Sequence, residues 1–154
     1  MALEFQVLSR NDRDPISEFS EARFAQAVTD ETERRLRLWS VRWRTEALDH
    51  YLPLGWSFVA RDQGKVRGYF LGQALLFFGG LTQTLWIEHL ECADESTGRA
   101  LVEVAVRLAR EKHLQRVLFS EVDPAALSGL IADWKAVPIS ERIFEVSTTK
   151  RSLP

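Results

Sequence analysis

Apolar and polar side chains alternate from Leu3 to Leu8, which predicts a first strand. A polar break over Asn11–Pro15 follows, and then a partly helical stretch from Ile16 to Val28 with Phe19, Phe24 and Ala27 as its apolar residues. Asp30 with Glu33 three residues on resembles a capping box and predicts a long helix from about Glu31 to about His50. Leu36, Trp39, Trp43 and Ala47 recur at helical spacing as its expected inner stripe, and Leu52-Pro53-Leu54-Gly55 stops it.

Three strands in a meander come next. Trp56–Arg61 is followed by a turn at Asp62-Gln63-Gly64-Lys65, then by Val66–Phe78 and Thr82–Glu91. Gly68, Gly72 or the pair Gly79-Gly80 mark expected bulges or bends. Beyond a short polar loop, a helix from about Thr97 to about Lys112 carries Leu101, Val104, Ala105 and Leu108 on one face. Arg116–Val122 reads as a strand. Asp123-Pro124 is a strong start signal for a helix ending near Trp134, and Pro138–Thr149 alternates as a last strand.

The strand–helix–strand run from Leu85 to Val122 implies a parallel pair inside an otherwise antiparallel sheet. The fold class is therefore α/β (α+β), a mixed, mostly antiparallel sheet with helices on both faces. A length of 154 residues without repeat or linker predicts one domain over residues 1–154. A net charge of −2 gives no reason to expect a nucleic-acid partner. The one cysteine, Cys92, excludes an internal disulfide framework and a cysteine-based zinc site, and His50, His89 and His113 lack metal-ligand spacing. No apolar run is long enough for a signal peptide or a membrane span, so a cytoplasmic location without membrane contact is expected.

The candidate chemistry lies in Leu85–Arg110. A strand with a mid-strand carboxylate, Glu88, runs through a loop and Gly98 into an amphipathic helix, and a helix N-terminus favours anions. Asp94 and Glu95 oppose that, because like charges several ångström apart cost on the order of one to a few kcal/mol at surface-like dielectric. Cys92 reads as a small packing residue. The run Arg34–Arg44 carries a second constellation, in which Trp39, Arg42 and Trp43 would grip an acidic or carboxylate-bearing acceptor or a protein partner. The plainer reading has the Trp side chains in the core and the Arg side chains paired with Glu31, Glu33 and Glu46. Exposed, Phe77-Phe78 would make a homodimer surface or an acyl contact; buried, it would fill the sheet core.

In element order, over nearly its whole length, the chain resembles the GCN5-related N-acetyltransferase (GNAT) superfamily. That resemblance implies a gap between splayed strands Thr82–Glu91 and Arg116–Val122, where acetyl-CoA is the cosubstrate. The family's pyrophosphate loop falls on Glu95-Ser96-Thr97-Gly98-Arg99-Ala100. In one register Gly98 and Ala100 take its small-residue positions; in the other Ser96 and Gly98 do. Ser96, Thr97, Gly98, Arg99 and Ala100 are thus implied cofactor contacts, and main-chain groups of Leu90 and Cys92 would pair the pantetheine arm. Glu88 matches the family's base by position, on a face expected to be shared with Trp86 and Leu90. Its plainer reading is a carboxylate paired with an arginine. Glu91 is the next candidate. The family's acidic tyrosine would fall near Leu130, and the chain's tyrosines, Tyr51 and Tyr69, lie elsewhere.

The resemblance implies transfer of an acetyl group from acetyl-CoA to a primary amine acceptor. The acidic, shortened loop and the missing tyrosine favour the alternative, a catalytically inactive module that binds a protein partner or senses acyl-CoA. An unsplayed antiparallel sheet would instead point to an unrelated domain.

Overall fold

The computed structural model describes residues 2–76 and 83–138. Its strands are β1 (Glu4–Val7), β2 (Phe58–Asp62), β3 (Lys65–Leu75), β4 (Thr84–Cys92) and β5 (Arg116–Val122). Its α-helices are α1 (Arg13–Ala27), α2 (Glu31–Arg37), α3 (Thr45–Tyr51), α4 (Glu95–Glu111) and α5 (Pro124–Trp134). The five strands lie side by side in chain order. Every pair is antiparallel except β4 with β5, which is parallel. The Phe77–Gly80 turn and the strand expected beyond Pro138 lie outside the described residues. Among the described residues no helix is long and apolar enough to cross a membrane.

Two apolar clusters hold the layers together. Leu85, Ile87, Leu90 and Cys92 of β4 pack with Leu101, Val102 and Ala105 of α4 and Ala126 and Leu130 of α5. On the opposite face Val59, Tyr69 and Leu71 meet Ile16 of α1, Trp43, and Leu48 and Tyr51 of α3. The sheet therefore carries helices on both faces.

The long helix expected over 31–50 is broken. α2 ends at Arg37, and α3 begins only at Thr45. Between them the Ser40 hydroxyl donates to the Arg37 carbonyl and the Arg44 guanidinium to the Trp39 carbonyl. A serine that bonds nearby backbone, followed by β-branched and aromatic residues, competes with helix continuation. The expected stripe is lost with it: Leu36 and Trp39 are 70% and 75% exposed, while Trp43 is buried at 8%.

Two register irregularities shape the site. Leu71 faces His89 and Gly72 faces Ile87, so Glu88 is the extra residue of a bulge in β4. Gly72 sits at this point because a Cβ there would lie 2.8 Å from the Trp56 carbonyl oxygen. The second shift leaves Arg67 of β3 without a partner on β2. Both fall beside glycines singled out by the sequence.

Candidate active site

Strict alternation would place Trp86, Glu88 and Leu90 on one face of β4. The bulge changes the phase. Leu85 and Ile87 face α4 and α5, and the next residues to do so are Leu90 and Cys92. Glu88 and His89, though consecutive, therefore both turn toward α1 and α3, and Glu91 follows them. The expectation that Leu90 shares the Glu88 face is corrected accordingly: Leu90 is a core residue.

His89 is 6% exposed and sits between two carboxylates. Its Nδ1 is 2.6 Å from Glu121 Oε1 and its Nε2 is 3.3 Å from Glu91 Oε2. The Ser20 hydroxyl donates to Glu91 Oε2 at 2.6 Å, and Arg23 Nε donates to Glu91 Oε1 at 3.0 Å. Arg23 also reaches Asp123 Oδ2 at 2.9 Å, so one guanidinium from α1 ties the ends of β4 and β5. Tyr69, buried beneath the cluster, lies 2.6 Å from the Ser20 hydroxyl.

The electrostatics follow from this geometry. Burial alone would lower the His89 pKa, but the hydrogen bonds to Glu121 and Glu91 outweigh it and raise the pKa above 6.5. Burial would raise Glu91, but His89, Ser20 and Arg23 hold it below the usual carboxylate range. The His89 hydrogen bond likewise lowers Glu121. Burial and the Glu91 carboxylate push the Tyr69 phenol well up. Burial, then Asp123, pushes the Cys92 thiol up to about 12, which leaves it no nucleophile near neutral pH.

The cluster opens into a cavity of about 260 Å³ whose walls include Phe24, Trp43 and Leu90. Three carboxylates on its lining (Glu91, Glu121 and Asp123) face one guanidinium, Arg23, and one imidazole, His89. The lining alone is net negative even with His89 protonated, and Arg42, shared by Glu121 and Glu88, offsets part of that charge from outside it.

The other expected site residues fall in several places. Glu88 lies against an arginine and an indole. Arg42 Nη1 approaches its Oε1 at 3.2 Å, and the Trp86 indole donates to its Oε2 at 2.7 Å. Burial and the Glu88 carboxylate push Tyr51 up to about 12. Arg42 also bonds the Ser120 hydroxyl and lies 3.3 Å from Glu121 Oε2. It is thus engaged by this chain's own acids. Trp43 lines the cavity; Trp39 does not, standing on the outer surface with Leu38 and Val41. Arg35 and Arg37 pair with Glu31 and Glu33 as exposed helical neighbours.

The start of α4 is self-capped. Asp94 Oδ1 accepts from the Thr97 N–H and the Ser96 hydroxyl, and Oδ2 from Arg67. These bonds, the Thr97 N–H foremost, hold the Asp94 pKa far below its ordinary value. Arg99 is shared between Glu95 and Asp133. Gly98 is a packing glycine: a Cβ there would lie 2.9 Å from Ala126 Cα and from Cys92 Sγ. Ala100 follows two residues on, half-buried in the same helix. Two buried polar atoms beside this turn, Arg67 Nε and Thr97 Oγ1, have no hydrogen-bond partner among the described residues.

The strands do not splay along their shared length. β4 and β5 stay paired through Leu90 and Val122, and the Leu90 carbonyl accepts the Asp123 N–H at 2.9 Å. At Cys92 the bridge passes to a side chain, with its N–H 3.4 Å from Asp123 Oδ2. Sequence reasoning missed Arg23, His89 and Glu121. The available signal was Gly72, because a bulge opposite it reverses which β4 residues share a face.

The fold is that of the GCN5-related N-acetyltransferases. A ribosomal-protein-alanine N-acetyltransferase from Brucella melitensis biovar Abortus 2308 aligns over 97% of this chain and 100% of its own, with a TM-score of 0.64 and 16% identity. A GCN5-related N-acetyltransferase from Ralstonia eutropha JMP134 aligns over 94% and 99%, with a TM-score of 0.63 and 17% identity. AAC(6')-Iy in complex with the bisubstrate analogue CoA-S-monomethyl-acetylneamine aligns over 98% and 99%, with a TM-score of 0.58 and 12% identity. No curated protein matches the sequence. Residues 3–138 match the family described as "Protein of unknown function (DUF1999)".

Proposed function

Given that the chain belongs to the DUF1999 family, whose description names no activity, we propose from the site that it is an acyl-CoA-dependent N-acyltransferase. It moves an acetyl group from acetyl-CoA to a primary amine that binds as a monocation. The carrying observation is the cavity at the ends of the parallel strands, where the lining carboxylates Glu91, Glu121 and Asp123 outnumber the basic residues on the lining, Arg23 and His89. An ammonium is favoured there by charge, and a carboxylate-bearing acceptor is opposed because Arg42 is already held by Glu88 and Glu121.

The donor's phosphates are assigned to the first turn of α4. A helix N-terminus offers free N–H groups, and the Asp94 carboxylate takes only that of Thr97. The orphaned Arg67 Nε and Thr97 Oγ1 beside it are donors in want of an acceptor, which a phosphate oxygen supplies. The pantetheine edge is assigned to Leu90 and Cys92. For the arm to pair there, the bonds of Leu90 and Cys92 to Asp123 must exchange for bonds to the ligand. Glu88 is assigned to holding Arg42, since both its oxygens are engaged and it does not line the cavity.

Two observations favour a second reading. The capped α4 start and the unsplayed strands suit a non-catalytic module that binds acyl-CoA weakly or only meets a protein. A thiol-release assay with acetyl-CoA separates the two. The first reading expects CoA release that depends on a monocationic amine such as butylamine, with little release for an amino acid of net negative charge. CoA release from neither would favour the second.

A further inference from the structure

Resting on that acyltransferase reading, we infer that the acceptor's proton leaves through a buried relay in which Glu121 takes it and His89 stores it. Glu121 is about half exposed in the cavity, whereas His89 is nearly sealed, so only the carboxylate can meet the incoming ammonium. The two touch at 2.6 Å, a charge-assisted contact short enough for direct transfer. On the far side His89 Nε2 faces Glu91, itself fixed by Ser20 and Arg23. Glu121, His89 and Glu91 thus form a connected array along the cavity wall.

Each transfer balances. The 2.6 Å contact holds a proton between Nδ1 and Glu121 and is therefore the loaded state; in the empty state the neutral imidazole keeps its proton on Nε2, toward Glu91, and its Nδ1 lone pair faces Glu121 without a hydrogen bond. The Glu121 carboxylate removes one proton from the ammonium, leaving a neutral amine to attack the thioester carbonyl. That proton passes to His89 Nδ1, so Glu121 is again ionised and the imidazolium lies between two carboxylates. Attack leaves the nitrogen with one more proton than the amide keeps, and that proton passes to the departing thiolate as the tetrahedral adduct collapses; the stored proton returns through Glu121 to water. No other reactant is needed.

The groups facing His89 are Glu91 on its own strand, Glu121 on β5, Tyr69 on β3, and Ser20 and Arg23 on α1; Arg42 faces it through Glu121. The carboxylates favour the imidazolium, and the arginines neutralise the carboxylates without touching the ring. The store is thus full at acidic pH and empties above pH 6.5, the direction its surroundings dictate. In this scheme Glu121 is the catalytic residue and His89 a positioning and proton-storing residue behind it.

Two measurements test this. In the first, the His89 ring is titrated by NMR in the wild-type chain and in Glu121→Gln, with no substrate present. The relay expects a wild-type midpoint above 6.5 that falls in the variant; a midpoint unchanged by the variant overturns the coupling. In the second, kcat/KM is followed against pH with acetyl-CoA and a panel of butylamine, benzylamine and 1,4-diaminobutane. A general base contributes about 10²–10⁴-fold, so His89→Gln and Glu121→Gln should each lose at least about 10²-fold at pH 8. They should also lose the rising limb, and the double variant should be little worse than either alone. Glu88→Gln should retain the limb. Wild-type transfer whose limb survives in both relay variants overturns the relay and leaves the acyltransferase standing. Absence of wild-type transfer across the panel overturns both.

Discussion

Gly98 separates a packing glycine from a ligand-cradling one, and Gly98→Ala is the perturbation that reads it. Two opposite effects compete. Alanine favours a helix over glycine by at most about 1 kcal/mol, less in a first turn. Against this, the added methyl would lie 2.9 Å from Cα and Cβ of Ala126 and from Cys92 Sγ. One of those atoms is α5 backbone and another belongs to a fully buried side chain, so relief requires α4 and α5 to move apart. Overpacking of this kind costs about 1–3 kcal/mol. The net expectation is a loss of about 1–2 kcal/mol, or roughly 2–8 °C in Tm at 2–4 °C per kcal/mol for a domain of this size. Urea unfolding followed by tryptophan fluorescence measures it as a lower midpoint at constant slope. Adding Ala126→Gly removes the clash with the Ala126 methyl group but leaves the clash with the α5 backbone, so it should recover only part. A variant as stable as the parent or more so would refute the packing account and return Gly98 to the ligand.

Other consequences follow from the same contacts. Trp43→Ala should cost about 3–5 kcal/mol as a buried aromatic truncation, whereas Trp39→Ala, at a site 75% exposed, should stay within about 0.5 kcal/mol; equal losses in denaturation would restore the continuous helix. The pairs of His89, raised above 6.5, add stability below that pH that is lost as pH rises through the folded value. Glu91 and Glu121, lowered below 4.5, add stability above that pH that is lost on acidification. Unfolding free energy should therefore peak between about pH 4.5 and 6.5, and His89→Gln should flatten the alkaline side; a wild-type curve flat from pH 5 to 9 would contradict the cluster. Cys92, buried and pushed up to about 12, should react with a disulfide reagent at neutral pH only as fast as the chain opens; rapid native labelling would place it at the surface.

Much of the fold was legible because its signals are local. Asp123 caps α5 through the Ala125 N–H with Pro124 in the first turn, and both ends of that helix fall where the sequence places them. β5 also matches its expected bounds, since a strand between two helices has little room to slip. The helix over 31–50 breaks for a local reason too: its apolar spacing is helical, but Ser40, Val41, Trp43 and Thr45 are weaker helix formers. The site was less legible. One extra residue at Glu88 reverses the strand's faces and moves His89 from core to cluster, an effect alternation cannot show. Arg23 meets its two acids 68 and 100 residues away in sequence, contacts that only the assembled sheet and α1 create. Asp94 and Glu95, read as repelling an anion, instead direct their charge to Arg67, Arg99 and the helix cap.

On the acyltransferase reading, the α4 turn and the β4–β5 edge still take an acyl-CoA. Isothermal titration calorimetry of the chain with acetyl-CoA and with CoA tests it without requiring the acceptor. The account predicts saturable 1:1 binding of both at sub-millimolar concentration, with affinity falling as salt rises because phosphates carry part of it. No heat of binding at millimolar ligand would contradict it and leave a GNAT fold that has given up its donor.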